Sequence, residues 1–225
     1  MSFVDMFYQS ENQSRVTGVF IGVVTNNKDP DKLGRVKVRF PKISKDNETD
    51  WIRIATLFTG AEFGSFFLPE VKDEVLVAFE NGDINMPFVI GSLWNGVNKP
   101  VEDNADGKNN FSVIKTRSGH TLKFDNTDGS EKIEIIDKTT KNLITIDSST
   151  NTISIVSDAD ITMTAKNGKI ALDASDVEIK GSSSIKIESS GGLDAKASGT
   201  ANFEGNTTNI KGSTTNVKGS TVNLN

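Results

Sequence analysis

Few residues in this chain have the type and spacing that chemistry requires. The 225 residues contain no cysteine and one histidine, which removes disulfides, thiolate metal sites, cysteine nucleophiles and any multi-histidine metal cluster within one subunit. His120, in TRSGHTLKF, is the sole candidate for an imidazole general base. It has no neighbouring nucleophile or motif and reads as a turn or surface histidine. Asp50, Glu70, Glu74, Glu80 and Asp83 could in principle supply a paired acid and base. They fall in or beside short strand-like runs and turns, where solvated carboxylates are the commoner case. Asp29 and Asp31 flank a proline without the glycine-bearing twelve-residue spacing of a calcium loop. There is no GxGxxG and no Walker loop. The expectation is no catalytic residue, no metal site and no cofactor.

Arg35, Lys37 and Arg39 form a basic stripe that could grip a phosphate backbone. Binding single strands also needs exposed aromatic stacking platforms. In GRVKVRF the alternation sends Val36, Val38 and Phe40 to one face and the cations to the other, so Phe40 belongs to the buried side. With 25 basic against 30 acidic residues the net charge is −5. The stripe reads as the solvated face of an amphipathic strand, and no nucleic acid is expected.

The elements that carry these residues differ sharply between the two halves. All five prolines lie in the first hundred positions, and fifteen of the sixteen aromatics precede residue 125. From Val16 to Trp94, short β-like runs (VTGVFIGVV, GRVKVRF, WIRIAT, SFFLP, EVLVAFE, PFVIGSL) are separated by turn signals such as KDPDKLG and ENGD. Strands this short leave exposed edges unless they close, which predicts an OB-like barrel. The polar stretch VEDNADGKNN, residues 101–110, marks the join.

Beyond it the chain becomes repetitive. In residues 151–225, Ser, Thr, Asn and Gly fill 36 of 75 positions. Units beginning at 153, 161, 170, 177, 185, 193, 201, 208, 215 and 222 recur every seven to nine residues. Positions 1 and 3 of a unit are usually apolar and position 2 is polar. Two or three apolar side chains on one strand have nothing to bury against within their own unit, so stacked units must supply the core. Either one chain winds as a solenoid or three chains intertwine as a three-faced prism; inward residues that shrink toward the C terminus favour the tapering prism. Its core would hold Ile153, Ile155, Ile161, Met163, Ile170, Leu172, Val177, Ile179, Ile185, Ile187, Ile210 and Val217. Ten layers of about 4.8 Å would span roughly 48 Å.

The strings DPDKLGRVKVRFP, DWIRIAT and TGAEFGSFFLPEVKDEVLVAFENGDINMPFVIGSLWNG resemble the barrel domain of the phage baseplate assembly protein V and VgrG spike family, and VIKTRSGHTLKFDNTDGSEKIEIID resembles the segment leading into its spike. The likeness covers about residues 16–137. It implies an all-β homotrimer, an OB-like barrel followed by an intertwined triple-stranded β-helix, acting as the non-enzymatic central spike of a contractile tail or injection system. A trimeric receptor-binding tail fibre or adhesion module is the rival reading. The expected division is a hub-docking segment at 1–15, the barrel at 16–100, linker and first spike strands at 101–137, and the β-helix at 138–225. The resemblance further implies a separate hub protein at the N-terminal end, with Phe3, Met6, Phe7 and Tyr8 as candidate contacts. At the other end it implies a PAAR-type tip protein on Val217, Val222 and Leu224. The start carries no signal-peptide pattern, so the expectation is synthesis in the cytoplasm, assembly into a baseplate or tail tip, and contact with the target envelope during puncture.

Overall fold

A computed structural model describes residues 16–43 and 47–223. The chain divides into two units, Met1–Ile161 and Thr162–Asn225. The described residues hold twelve strands and one 3-10 turn, Glu80–Gly82, with no α-helix.

Seven strands belong to the front part of the first unit: β1 (Phe20–Asn26), β2 (Lys37–Arg39), β3 (Arg53–Ile54), β4 (Thr59–Gly60), β5 (Phe63–Gly64), β6 (Glu74–Phe79) and β7 (Pro87–Leu93). Five of them form one sheet in the order β2-β1-β6-β7-β3, antiparallel except for the β3–β7 pair. Just outside the two edge strands, Val36 and Ile52 exchange both backbone hydrogen bonds, at 3.0 and 2.9 Å. That bridge joins the edges, so the sheet curls into a barrel and neither edge is left free along that stretch.

The expected alternation is present where it matters. Val36 and Val38, like Val75 and Val77, are fully buried, and with Val24, Ile52 and Val89 they make the core. Phe40, Ile54, Leu68 and Phe79 pack against it. Such a small barrel accommodates β-branched side chains, while the larger rings collect at one side: Phe79 and Phe40 lie 5.6 and 6.3 Å from Phe20, edge to face. The SFFLP run, expected as a strand, forms none. Thr56 Oγ1 donates to the Ser65 carbonyl at 2.6 Å, and Ser65 N–H donates to the Phe58 carbonyl at 3.1 Å. These bonds commit the segment to the β4–β5 hairpin, which leaves Leu57, Phe58, Phe63, Phe66 and Phe67 exposed.

The remaining strands, β8 (Phe111–Lys115), β9 (Thr121–Asp125), β10 (Lys132–Ile136), β11 (Leu143–Asp147) and β12 (Thr152–Val156), form a second sheet. It is an antiparallel meander in sequence order. Asp125 and Asp147 end β9 and β11 and Asp137 directly follows β10, and each accepts the backbone N–H two residues on, from Thr127, Thr139 and Ser149 at 3.0, 3.2 and 2.9 Å. This Asx geometry starts each reversal. β10 and β11 pair over five residues on either side of positions 137 and 138, as short hairpin links between consecutive strands favour.

In the second unit the described chain is extended and forms no strand ladder of its own. Bends recur at 166–168, 175, 182–183, 190–191, 198–199, 206, 213–214 and 220, in step with the repeat of the sequence.

Candidate assembly surfaces

The second sheet is built so that one face is more apolar than the other. Strand register places Ser112, Phe124, Ile133, Ile146 and Ile153 in one cross-strand row, and Ile114, Leu122, Ile135, Ile144 and Ile155 in the next row on the same side. Nine of these ten residues are apolar, whereas the row between them on the opposite side reads Val113, Lys123, Glu134, Thr145, Ser154. A sheet with so apolar a face normally packs it against a second layer. Within this chain no described element covers it: Ile135 is 54% exposed and Ile155 61%. The expected core residues Ile153 and Ile155 thus sit on the outer strand of a larger apolar face. The other seven apolar members were not singled out from sequence, although KIEII and LITID carry the same period-2 signal.

The expected core positions of the repeats are also uncovered in one chain. Ile161, Met163, Ile170, Leu172, Val177, Ile179, Ile185, Ile187, Ile210 and Val217 are all between 52% and 76% exposed. Val222, expected at the tip, is 48% exposed. Phe3, Met6, Phe7, Tyr8 and Leu224 lie outside the described residues.

The basic stripe departs from its expected solvated character. Arg35, Lys37 and Arg39 are half-buried. Arg35 donates through Nε and Nη2 to Asp29 at 2.9 and 2.8 Å and through Nη2 to Asp31 at 2.5 Å. Lys37 reaches Glu48 at 3.1 Å and lies over the Trp51 ring. The Arg35 guanidinium and three backbone N–H groups hold the Asp29 carboxyl well below the ordinary carboxylate range. Hydrogen bonds from Thr25 and Lys37 likewise hold Glu48 down. Much of the stripe's charge is therefore committed to carboxylates of the same barrel, because the turn returns Asp29 and Asp31 to the start of β2.

His120 is exposed, and its Nδ1 accepts the Lys138 backbone N–H at 3.3 Å, which clasps the β8–β9 turn to the β10–β11 turn. The carboxylates considered for acid–base work are separated. Glu70 pairs with Arg117 at 2.9 Å, Glu80 lies 3.9 Å from Arg53, and Asp50 and Asp83 accept the backbone N–H groups of Trp51 and Asn85. Among the described residues no group of three or more His, Asp or Glu side chains could hold a metal, and no helix is long and apolar enough to cross a membrane.

Comparison with known proteins assigns the barrel. Residues 20–94 match the family model of the type VI secretion system/phage-baseplate injector OB domain. Over 112 residues the chain is 35% identical to the type VI secretion system spike protein VgrG3 of Vibrio cholerae, a match covering 46% of this chain and 11% of that protein. It is 33% identical over 133 residues to the spike protein VgrG5 of Pseudomonas aeruginosa, covering 53% of this chain and 17% of the relative. The actin cross-linking toxin VgrG1 of Vibrio cholerae matches at 30%, over 46% of this chain and 10% of that protein. The chain thus spans between about a tenth and a sixth of the length of these relatives. Barrel closure through Val36 and Ile52 and the family model lying on that barrel agree that residues 20–94 form an OB domain of the type VI secretion system/phage-baseplate injector kind, and around this domain the chain is similar to VgrG-type spike proteins.

Proposed function

We propose that this protein is the homotrimeric central spike of a contractile tail or injection system, driven into the target envelope by mechanical work done elsewhere in the particle. The observation that carries the reading is apolar surface left uncovered in one chain, on the face of β8–β12 and, separately, at the apolar positions of the repeats. A sheet face of nine apolar side chains, and repeats over residues 162–223 that form no strand within the chain, leave apolar surface and backbone groups in water, and three copies of the same chain would supply both missing layers. Backbone hydrogen bonds would then run along the spike between chains, giving a cross-β stack stiff enough to transmit force. The role is structural, with no catalytic step assigned to any residue. A hub protein at the N-terminal end, a PAAR-type tip protein at the C-terminal end and the target envelope complete the partners, and the site of action is the baseplate or tail tip.

Light scattering on the full chain tests this directly. The expected mass is three times 24.3 kDa, and a monomeric mass would remove the reading.

A further inference from the structure

The outward side chains of the repeats carry an ordered pattern of their own. Positions 2 and 4 of each repeat alternate with the apolar positions 1 and 3 and so lie on the opposite side of the extended chain. Two ion pairs bear this out: Lys180 Nζ lies 2.7 Å from Glu178, and Lys186 Nζ lies 2.6 Å from Glu188. At position 4, six successive repeats carry Asp173, Lys180, Glu188, Lys196, Glu204 and Lys211, so the sign reverses at every step. At position 2, Glu178, Lys186 and Asp194 reverse likewise before asparagines take over. The final step, Lys211 to Lys218, does not reverse. Among the described residues no ion pair joins one of these repeats to another within the chain.

The inference rests on the trimeric reading above. If the chain turns to the next face of a three-sided prism at each bend, the strand stacked on a given repeat is the following repeat of another copy, running parallel to it. Position 4 then faces position 4 across one strand spacing of about 4.8 Å. From Ile161 to Ile187 the apolar positions cannot set this register by themselves, because four successive repeats offer nearly the same pair of large apolar side chains, and a slip by one unit there would bury them about equally well. We propose that the alternating outward charges set the register between the three copies. In the correct stack every step from Asp173 to Lys211 brings opposite signs together; a slip by one repeat makes every such contact a like-charge pair. Exposed pairs are individually weak, but threefold symmetry repeats each of them three times, and the penalty falls on every layer of a slipped assembly at once.

The test exchanges one repeat's charges without changing composition. Asp194→Lys with Lys196→Asp keeps net charge and keeps an opposite-sign pair within the repeat, yet it places like charges beside Lys186, Glu188 and Glu204 of neighbouring copies. A second variant inverts the whole ladder, reversing positions 173, 178, 180, 186, 188, 194, 196, 204 and 211 together. The expected result is a thermal midpoint for the exchanged variant lower than wild type by roughly 2–4 °C in low salt. That gap should narrow at about 1 M salt, where the Debye length falls to about 3 Å, and the inverted variant should return close to wild type. An exchanged variant as stable as wild type in low salt would overturn the proposal. So would an inverted variant as impaired as the exchanged one. A monomeric wild-type mass would instead remove the trimer, and the register device with it.

Discussion

Asp29 organises the turn that feeds β2. Its side chain is only 3% exposed and accepts the backbone N–H groups of Asp31, Leu33 and Arg35 at 3.0, 3.0 and 3.3 Å, besides the Arg35 guanidinium. The folded state holds this carboxyl well below its ordinary range, so its contribution to stability is present above the unfolded value of about 4 and is lost as pH falls toward the folded value. Asp29→Asn should therefore lower the barrel's thermal midpoint at neutral pH and flatten its decline on acidification below about pH 4. A series of melting curves on both proteins reads this out, and an unchanged acid slope would place the sensitivity elsewhere. Asp31, whose side chain is 66% exposed and shares only part of the guanidinium, should matter less when replaced by alanine. Gly22 is a second position set by neighbours, because an added Cβ would overlap Cγ1 of the fully buried Val38. Gly22→Ala should cost about 1–3 kcal/mol, measurable by urea unfolding.

Among the elements, the meander and the repeats make opposite demands on mutation from those of the barrel. Val77 is fully buried in one chain, so Val77→Ala should lower stability by about 2 kcal/mol whatever the oligomeric state. Ile135, at the centre of the apolar face, is more than half exposed in one chain. Ile135→Asp should leave the meander folded, by circular dichroism, while sedimentation velocity shows loss of the trimer. Ile187→Asp should act the same way in the repeats by bringing three carboxylates together on the threefold axis, where buried unpaired like charges cost several kcal/mol each. A soluble, heat-resistant Ile187→Asp trimer would show that this position faces outward. The three hairpins closed by Asp125, Asp137 and Asp147 bear on the same element. Desolvation pushes the Asp137 carboxyl up, but hydrogen bonds from Thr139 and Asn142 outweigh it and leave it at about 2. These reversals stay intact through mild acid, when carboxylates of ordinary pKa have begun to protonate.

At the scale of the whole molecule, hydrogen exchange separates the units. Backbone amides of residues 162–223 have no strand partners within the chain, so their strong and uniform protection in solution would have to come from other copies. Random-coil exchange there, in a particle of trimeric mass, would confine trimerisation to the meander. Much of this architecture can be read from composition and period alone. GRVKVRF announces its buried face through Val36 and Val38, and the seven-to-nine-residue recurrence reappears as regularly spaced bends, because alternation and turn chemistry are local properties of the chain. What needed three dimensions was whatever depends on which strands meet. The Val36–Ile52 bridge that closes the barrel, the hairpin that claims Ser65 instead of a strand, and the capture of Arg35 by Asp29 all follow from contacts that hydrophobic alternation does not encode. The same holds for the apolar face of β8–β12. Each strand declares its own two sides, but only register aligns Phe124, Ile133, Ile146 and Ile153 into one row, because cross-strand pairing sums separate amphipathic strands into a surface large enough to need a partner.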